Sequence, residues 1–399
     1  MLPLNIIEKL FSASNIQRWN DHIKSIELTE IDKQSHKAII AFLIAKIEED
    51  LGNNINYTDL IEIMLFQTLH RIVLTDLRPN IYHKIMKEKG EELNKWVYSK
   101  LENDFPTENT CLKDRFNMFL FEKNSYNYER KILDAAHYLA TLWEFNHIYQ
   151  LNSFLYGIND TKHNIENEIE KHYELEGVRK LVLDKKLNGF ISIAGQLRFQ
   201  QRWAQTPRIP KTTVLGHMFF VAMLSFLSSS QNNSSSSMIY NNFFTSLFHD
   251  LPEVLTRDII SPIKSSVNGI DEVIKNYEEE EMKNKIYPLL PDFITNDLKY
   301  FTVNEFENKV KIDNNIKINI SELDILTKYN TDKYNPCSGK MLKICDNLSA
   351  FIETTMSIKY GIKSENLINA RDRLYDDYRN NHSYGVNFGD VFTYFYNLK

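Results

Sequence analysis

Residues Leu247 to Pro262 read LFHDLPEVLTRDIISP. The segment leaves an apolar run, sets an imidazole beside a carboxylate at His249-Asp250, and puts Glu253 four positions after His249, the spacing that shares one face of a helix. An earlier segment, LFQTLHRIVLTDLRP from Leu65 to Pro79, has the same cadence and aligns Asp76 with Asp258. Around both, apolar residues recur at helical intervals, as in Ala38-Ile39-Ile40-Phe42-Leu43-Ile44-Ile47 and Leu60-Ile61-Ile63-Met64-Leu65. Strand signals are few, and the 12 glycines and 10 prolines fall where helices should stop, among them Gly52, Pro79, Pro106, Gly216 and Pro252. The pattern predicts an all-α protein.

Other landmarks repeat in the same order. Gln17-Arg18-Trp19 returns as Gln201-Arg202-Trp203, His36 and His217 each open an apolar helix, and KILD ending at Asp134 returns as KICD ending at Asp346. This order predicts a degenerate internal duplication: a helical unit over 1–165, a charged linker or connecting helix over 166–194, and a second unit over 195–399. A chain of 399 residues suits two domains. The tract from Ser228 to Ser237 reads as a plain joint between helices. Residues 291–336, rich in Asn, Asp and Lys, read as an insertion with some extended segments, and Glu278 to Glu281 as a solvated helix face.

A net charge of -6 offers no overall attraction to nucleic acid or anionic membrane, so neither is an expected partner. Cys111, Cys337 and Cys345 are odd in number and lack metal-type spacing, which argues against a disulfide framework. The N-terminus lacks the pattern of a secretory signal, and the apolar run from Met218 to Leu227 is short for a membrane span. A cytoplasmic setting is expected.

In the second unit His217, His249, Asp250 and Asp346 fall on segments read as helices. Two imidazoles and two carboxylates from facing helices are a standard means of holding one divalent ion, with Mn, Co, Fe or Zn favoured and Mg admitted. A lone histidine on an apolar face is more often a satisfied core residue, so the weight rests on the set. This half resembles the HD superfamily through its H…HD…D pattern, and through HDxxEVLTxD and the upstream Arg202-Trp203 it is similar to the 5′-deoxynucleotidase branch. The resemblance implies that His217, His249, Asp250 and Asp346 bind the metal and that Glu253 is the general acid/base. It further implies that Arg202 contacts phosphate, Trp203 packs on the sugar, Asp258 meets a sugar hydroxyl, and Lys264 is a further phosphate contact. Relatives carry Ser-Glu-His where this chain has Leu215-Gly216-His217.

No histidine lies between Asp250 and Asp346, which argues against a second metal and for hydrolysis of a monoester, with a 5′-(deoxy)nucleoside monophosphate as substrate. The alternatives are a nucleotide-binding sensor, which would have no need of Glu253, and a phosphodiesterase. In the first unit Gln67-Thr68 stands at the His-Asp position and Arg71 at that of Glu253, so no catalytic metal is expected there. That unit is expected to stand in for the partner of a homodimer, as an internal pseudo-dimer, and a homo-oligomer remains compatible with the sequence.

Overall fold

The structure is a computed structural model that describes residues 2–75, 77–106, 110–122, 124–257, 267, 269–313 and 315–398. It is all-α, with two small sheets. The N-terminal half is built from α1 (Leu4–Ser12), α2 (Glu30–Asp50), α3 (Tyr57–Leu74), α4 (Pro79–Leu101), α5 (Cys111–Phe121) and α6 (Asn127–Asn152). Then come α7 (Ile158–Glu170), α8 (Glu176–Leu183) and α9 (Lys185–Gln196). The C-terminal half contains α10 (Val214–Gln231), α11 (Ser236–Phe248), α12 (Glu253–Thr256), α13 (Ile270–Glu281), α14 (Asp292–Thr302), α15 (Glu322–Leu326), α16 (Gly339–Lys359), α17 (Glu365–Tyr378) and α18 (Phe388–Tyr396).

Two core helices join the halves. Thr29 and Thr213 cap α2 and α10, each side-chain oxygen accepting from the backbone N–H three residues on, at Asp32 and Gly216. α10 is apolar on nearly every side and is therefore a core helix. It is long and apolar enough by composition to cross a membrane, but 89% of it is buried inside the protein. It packs on α2, and one hydrophobic core runs through both halves. Phe42 of α2 meets Phe244, Phe248 and Phe301 with ring centroids 4.8, 5.2 and 5.9 Å apart. Lys46 reaches Asp297 at 2.9 Å across the same interface.

The connection between the halves is helical and packed, so it is not a free linker. α8 lies so close to α2 that a Cβ on Gly177 would sit 2.9 Å from Ile44 Cα, and the Gly177 N–H donates to Glu48 Oε1 at 2.8 Å. The serine tract is also mostly helix. α10 continues to Gln231, Ser235 caps α11, and buried Ser228 donates to Leu224 O at 2.8 Å, a bond that lets a polar side chain lie in the core. The 291–336 segment contains α14 and α15 and the strands β1 (Asn308–Ile312) and β2 (Asn315–Lys317); β1 pairs antiparallel with β2 and with β3 (Cys337–Ser338). The acidic run ends α13, a helix with no buried residue.

The halves share local geometry. Gln17 bridges Thr29 as Gln201 bridges Thr213. Trp19 and Trp203 both adopt a left-handed backbone, at φ 56° and 57°, and each indole donates to a buried glutamate, Glu144 at 2.9 Å and Glu353 at 2.8 Å. Counted from these landmarks, His217 corresponds to Lys33, and Asp346, seven before Glu353, corresponds to His137, seven before Glu144. The expected partners His36 and Asp134 are each three residues out of register, because matching residue types drew the alignment away from the matching helix starts. His36 instead lies in the core and bonds Ile191 O at 2.9 Å.

Candidate metal centre

His217 lies one turn into α10, behind its Thr213 cap, with only 2% of its surface exposed. His249 follows the last residue of α11, and Asp250 comes next. Among the described residues, ligand atoms of His217, His249 and Asp250 lie within 4.8 Å of one another. His249 Nε2 is 3.2 Å and His217 Nε2 3.7 Å from Asp250 Oδ2. Asp346, on α16, stands 3.1 Å from His217 Nε2 through Oδ1, while Lys343 holds its Oδ2 at 2.8 Å. It adjoins the three-residue group through His217.

The second nitrogen of each ring shows how the pair is oriented. His217 Nδ1 meets Ser349 Oγ at 3.0 Å, and His249 Nδ1 lies 2.7 Å from Ser246 O. A carbonyl only accepts, so neutral His249 carries its proton on Nδ1 and turns the lone pair of Nε2 inward. Both Nε2 atoms are buried without an aligned hydrogen-bond partner. Buried polar atoms are rarely left so, and the arrangement of outer-bonded imidazoles around carboxylates fits a divalent ion.

Charge supports the same reading. Burial works to raise Asp250, but the neighbouring His249 holds its carboxyl well below the usual range. Asp346 is likewise low despite burial, through Lys343 and His217. Burial and Arg202 push His217 down; burial would lower His249 too, but Asp250 raises it. The carboxylates are therefore ionised and ready to bind a cation.

Glu253 begins α12 and is 8% exposed, but it does not continue the helix of His249. Pro252 has no N–H to bond to Phe248 O, and the chain crosses residues 249–252 as tight turns, with Leu251 N–H bonding Phe248 O and Glu253 N–H bonding Asp250 O. The expected shared helix face is thus replaced by a turn. Gln200 fixes the corner by donating to Glu253 O at 3.0 Å. Arg202 Nη1 is 3.8 Å from Asp250 Oδ2, at the edge of the centre. Asp258 and Lys264 lie outside the described residues.

Sequence reading missed three groups. Glu353 gathers Trp203, Arg202 and Thr212, the last donating its hydroxyl at 2.7 Å; its carboxyl is held down to about 2, burial being outweighed by Arg202 and Arg208. The signal for it was a second pair of glutamates, Glu144 and Glu353, at equal distances from His137 and Asp346. Ser349, one turn after Asp346, had no distinguishing pattern. The third is Asp32: its carboxylate accepts from Thr213 Oγ at 2.5 Å, and Oδ1 would lie 2.7 Å from a Cβ on residue 216. The N-terminal half therefore places a carboxylate directly beside Gly216, the residue that precedes His217.

Residues 194–374 match the family model described as HD domain. That segment of the C-terminal half is thus similar to HD domains, which are generally metal-dependent hydrolases. No curated protein matches the chain significantly.

Proposed function

We propose that the C-terminal half hydrolyses phosphate monoesters, with 5′-(deoxy)nucleoside monophosphates as the substrate class and one ion of Mn, Co, Fe, Zn or Mg held by His217, His249, Asp250 and Asp346. The observation that carries this reading is the convergence of two buried Nε2 atoms, neither with an aligned hydrogen-bond partner, on the Asp250 carboxylate. A divalent ion there would supply Lewis-acid chemistry at the phosphoryl group and lower the pKa of attacking water.

The chain supplies the rest. Arg202, tethered to Glu353 and beside Asp250, neutralises charge on the transferring group. Glu253 delivers a proton to the leaving sugar oxygen. Trp203, locked by Glu353, walls the sugar, with Asp258 on a sugar hydroxyl and Lys264 as an added phosphate contact. We read the N-terminal half as a degenerate copy that replaces the second subunit of a homodimer, a reading supported by the shared bridges, the two tryptophans and the α2–α10 packing.

The test is phosphate release from a panel of 5′-deoxy- and ribonucleotides with each metal, beside Asp250→Ala. Release by the wild type alone is expected. Silence across the panel with metal still bound would overturn the monoesterase.

A further inference from the structure

The centre of the N-terminal half differs from the metal centre in a consistent direction of charge. Lys33 corresponds to His217 and His137 to Asp346. Thr75 and Arg257, both at positive φ and each bonded back to the residue four earlier, align Arg71 with Glu253 and so place Gln67-Thr68 against His249-Asp250. Four of these five exchanges add positive charge or remove negative charge, and the fifth is neutral for a neutral imidazole.

Lys33 and Lys37 are 0% and 2% exposed. Lys33 Nζ lies 2.9 Å from both ring nitrogens of His137, in the place where His217 meets Asp346, and Lys37 Nζ donates to Gln67 Oε1 at 2.7 Å. Neither ammonium has a carboxylate at salt-bridge distance among the described residues. The nearby carboxylates are engaged: Glu30 by Arg18 at 2.9 Å and Gln34 at 2.7 Å, and Glu144 by Arg18, Trp19 and Arg198 at 2.9 to 3.0 Å. Asp134 is exposed, 3.5 Å from Gln67 Nε2. Burying ammonium groups against neutral partners is unfavourable unless an anion joins them. Burial and the charge of Arg18 push Lys33 well below its usual range, and burial, despite Asp134 and Glu30, lowers Lys37 to about 8, so an anion arriving between them would favour the protonated form of both. Gln67, Arg71 and His137 are half-buried, so the cluster reaches the surface.

We infer that the N-terminal half contains a non-hydrolysing site for a phosphate-bearing small molecule, bound by Lys33, Lys37 and Arg71 beside His137. Basic side chains that take up protons around a bound anion supply there the charge that an ion would supply in the other half, and without counterparts of His249, Asp250 and Glu253 the site has no means of cleaving what it holds.

The test uses the full chain carrying Asp250→Ala, so hydrolysis plays no part in the readout, with inorganic phosphate as the probe in equilibrium dialysis and thermal unfolding. One phosphate per chain is expected, with a rise in Tm of several degrees at about a hundredfold excess over Kd. Adding Lys33→Met and Lys37→Met should abolish both while leaving the phosphate-free Tm unchanged or higher. If that variant does not fold, Arg71→Gln at the rim should weaken phosphate by about tenfold or more. No phosphate bound to Asp250→Ala overturns the site, as does unchanged affinity in the lysine or Arg71 variants. Binding lost on Arg202→Gln alone would place the phosphate in the C-terminal centre and overturn it equally.

Discussion

His217 and His249 are each tied at Nδ1 and open at Nε2, and the ties differ in what can be removed. Ser246 contributes a backbone carbonyl, which survives any substitution, whereas Ser349 contributes a hydroxyl. Ser349→Ala should therefore loosen only His217 and lower metal affinity by about 10- to 100-fold; isothermal titration with Mn, read beside the urea midpoint, would separate this from a loss of fold. Glu253 makes a different case, since it is not in the ligand group. Glu253→Gln should keep the metal and lose about 10²- to 10⁴-fold in kcat, and a loss of metal along with rate would make Glu253 a ligand. Acid acts through His249, whose raised pKa means that protons compete with the metal sooner than at an ordinary imidazole. Metal affinity should fall as pH drops through that raised value, and His249→Ala should abolish binding at every pH.

At the scale of helices, the approach of α2 to α10 depends on Gly216. A methyl there would meet Asp32 Oδ1 at 2.7 Å and Ile31 Cγ2 at 2.8 Å, and Asp32 cannot swing away freely because Thr29 and Thr213 hold it. Gly216→Ala should cost about 1–3 kcal/mol, and a second change, Asp32→Ala, should return part of it, a non-additivity readable in a double-mutant cycle of urea unfolding. This contact also marks where sequence reading stopped. Helical periodicity gave the all-α class, and the His249-Asp250 pair with His217 and Asp346 was visible because its residue types are rare in a core. Asp32 was invisible because its role depends on a helix 184 positions away in the chain. The register error at His36 had a related origin: threonine caps at Thr29 and Thr213 set the helix starts, yet a histidine is the more conspicuous letter. The turn at residues 249–252 is legible in Pro252, whose missing N–H stops the helix of α11 from running on to Glu253.

Across the whole molecule, two buried glutamates hold the arginines and tryptophans of both halves, and one of them spans the halves: Arg198 bonds Glu144 at 3.0 Å from the far side of the connection. Burial alone would raise both carboxyls above 4.5, but the arginines win and hold each near 2. A depressed folded pKa stabilises the native state above the unfolded value and loses that contribution as pH falls through the folded one. Each glutamate should thus give roughly 3 kcal/mol at neutral pH that disappears between about pH 4.5 and 2. Urea midpoints measured at pH 6 and pH 3 should converge in Glu353→Gln relative to wild type. The same interface argues that neither half is self-sufficient. Residues 195–399 alone would expose the face of α10 that packs on α2 and the face of α11 that meets Phe42, leave Thr213 without Asp32, and strand Arg198 without Glu144. Surface of that kind does not stay in water as a monomer. The fragment should precipitate or self-associate in light scattering, and co-expression with residues 1–194 should return a soluble one-to-one complex that binds Mn. A soluble, monomeric fragment with the metal affinity of the full chain would show that the N-terminal half is not structurally required, and would leave its lysine-lined centre as the reason the chain retains it.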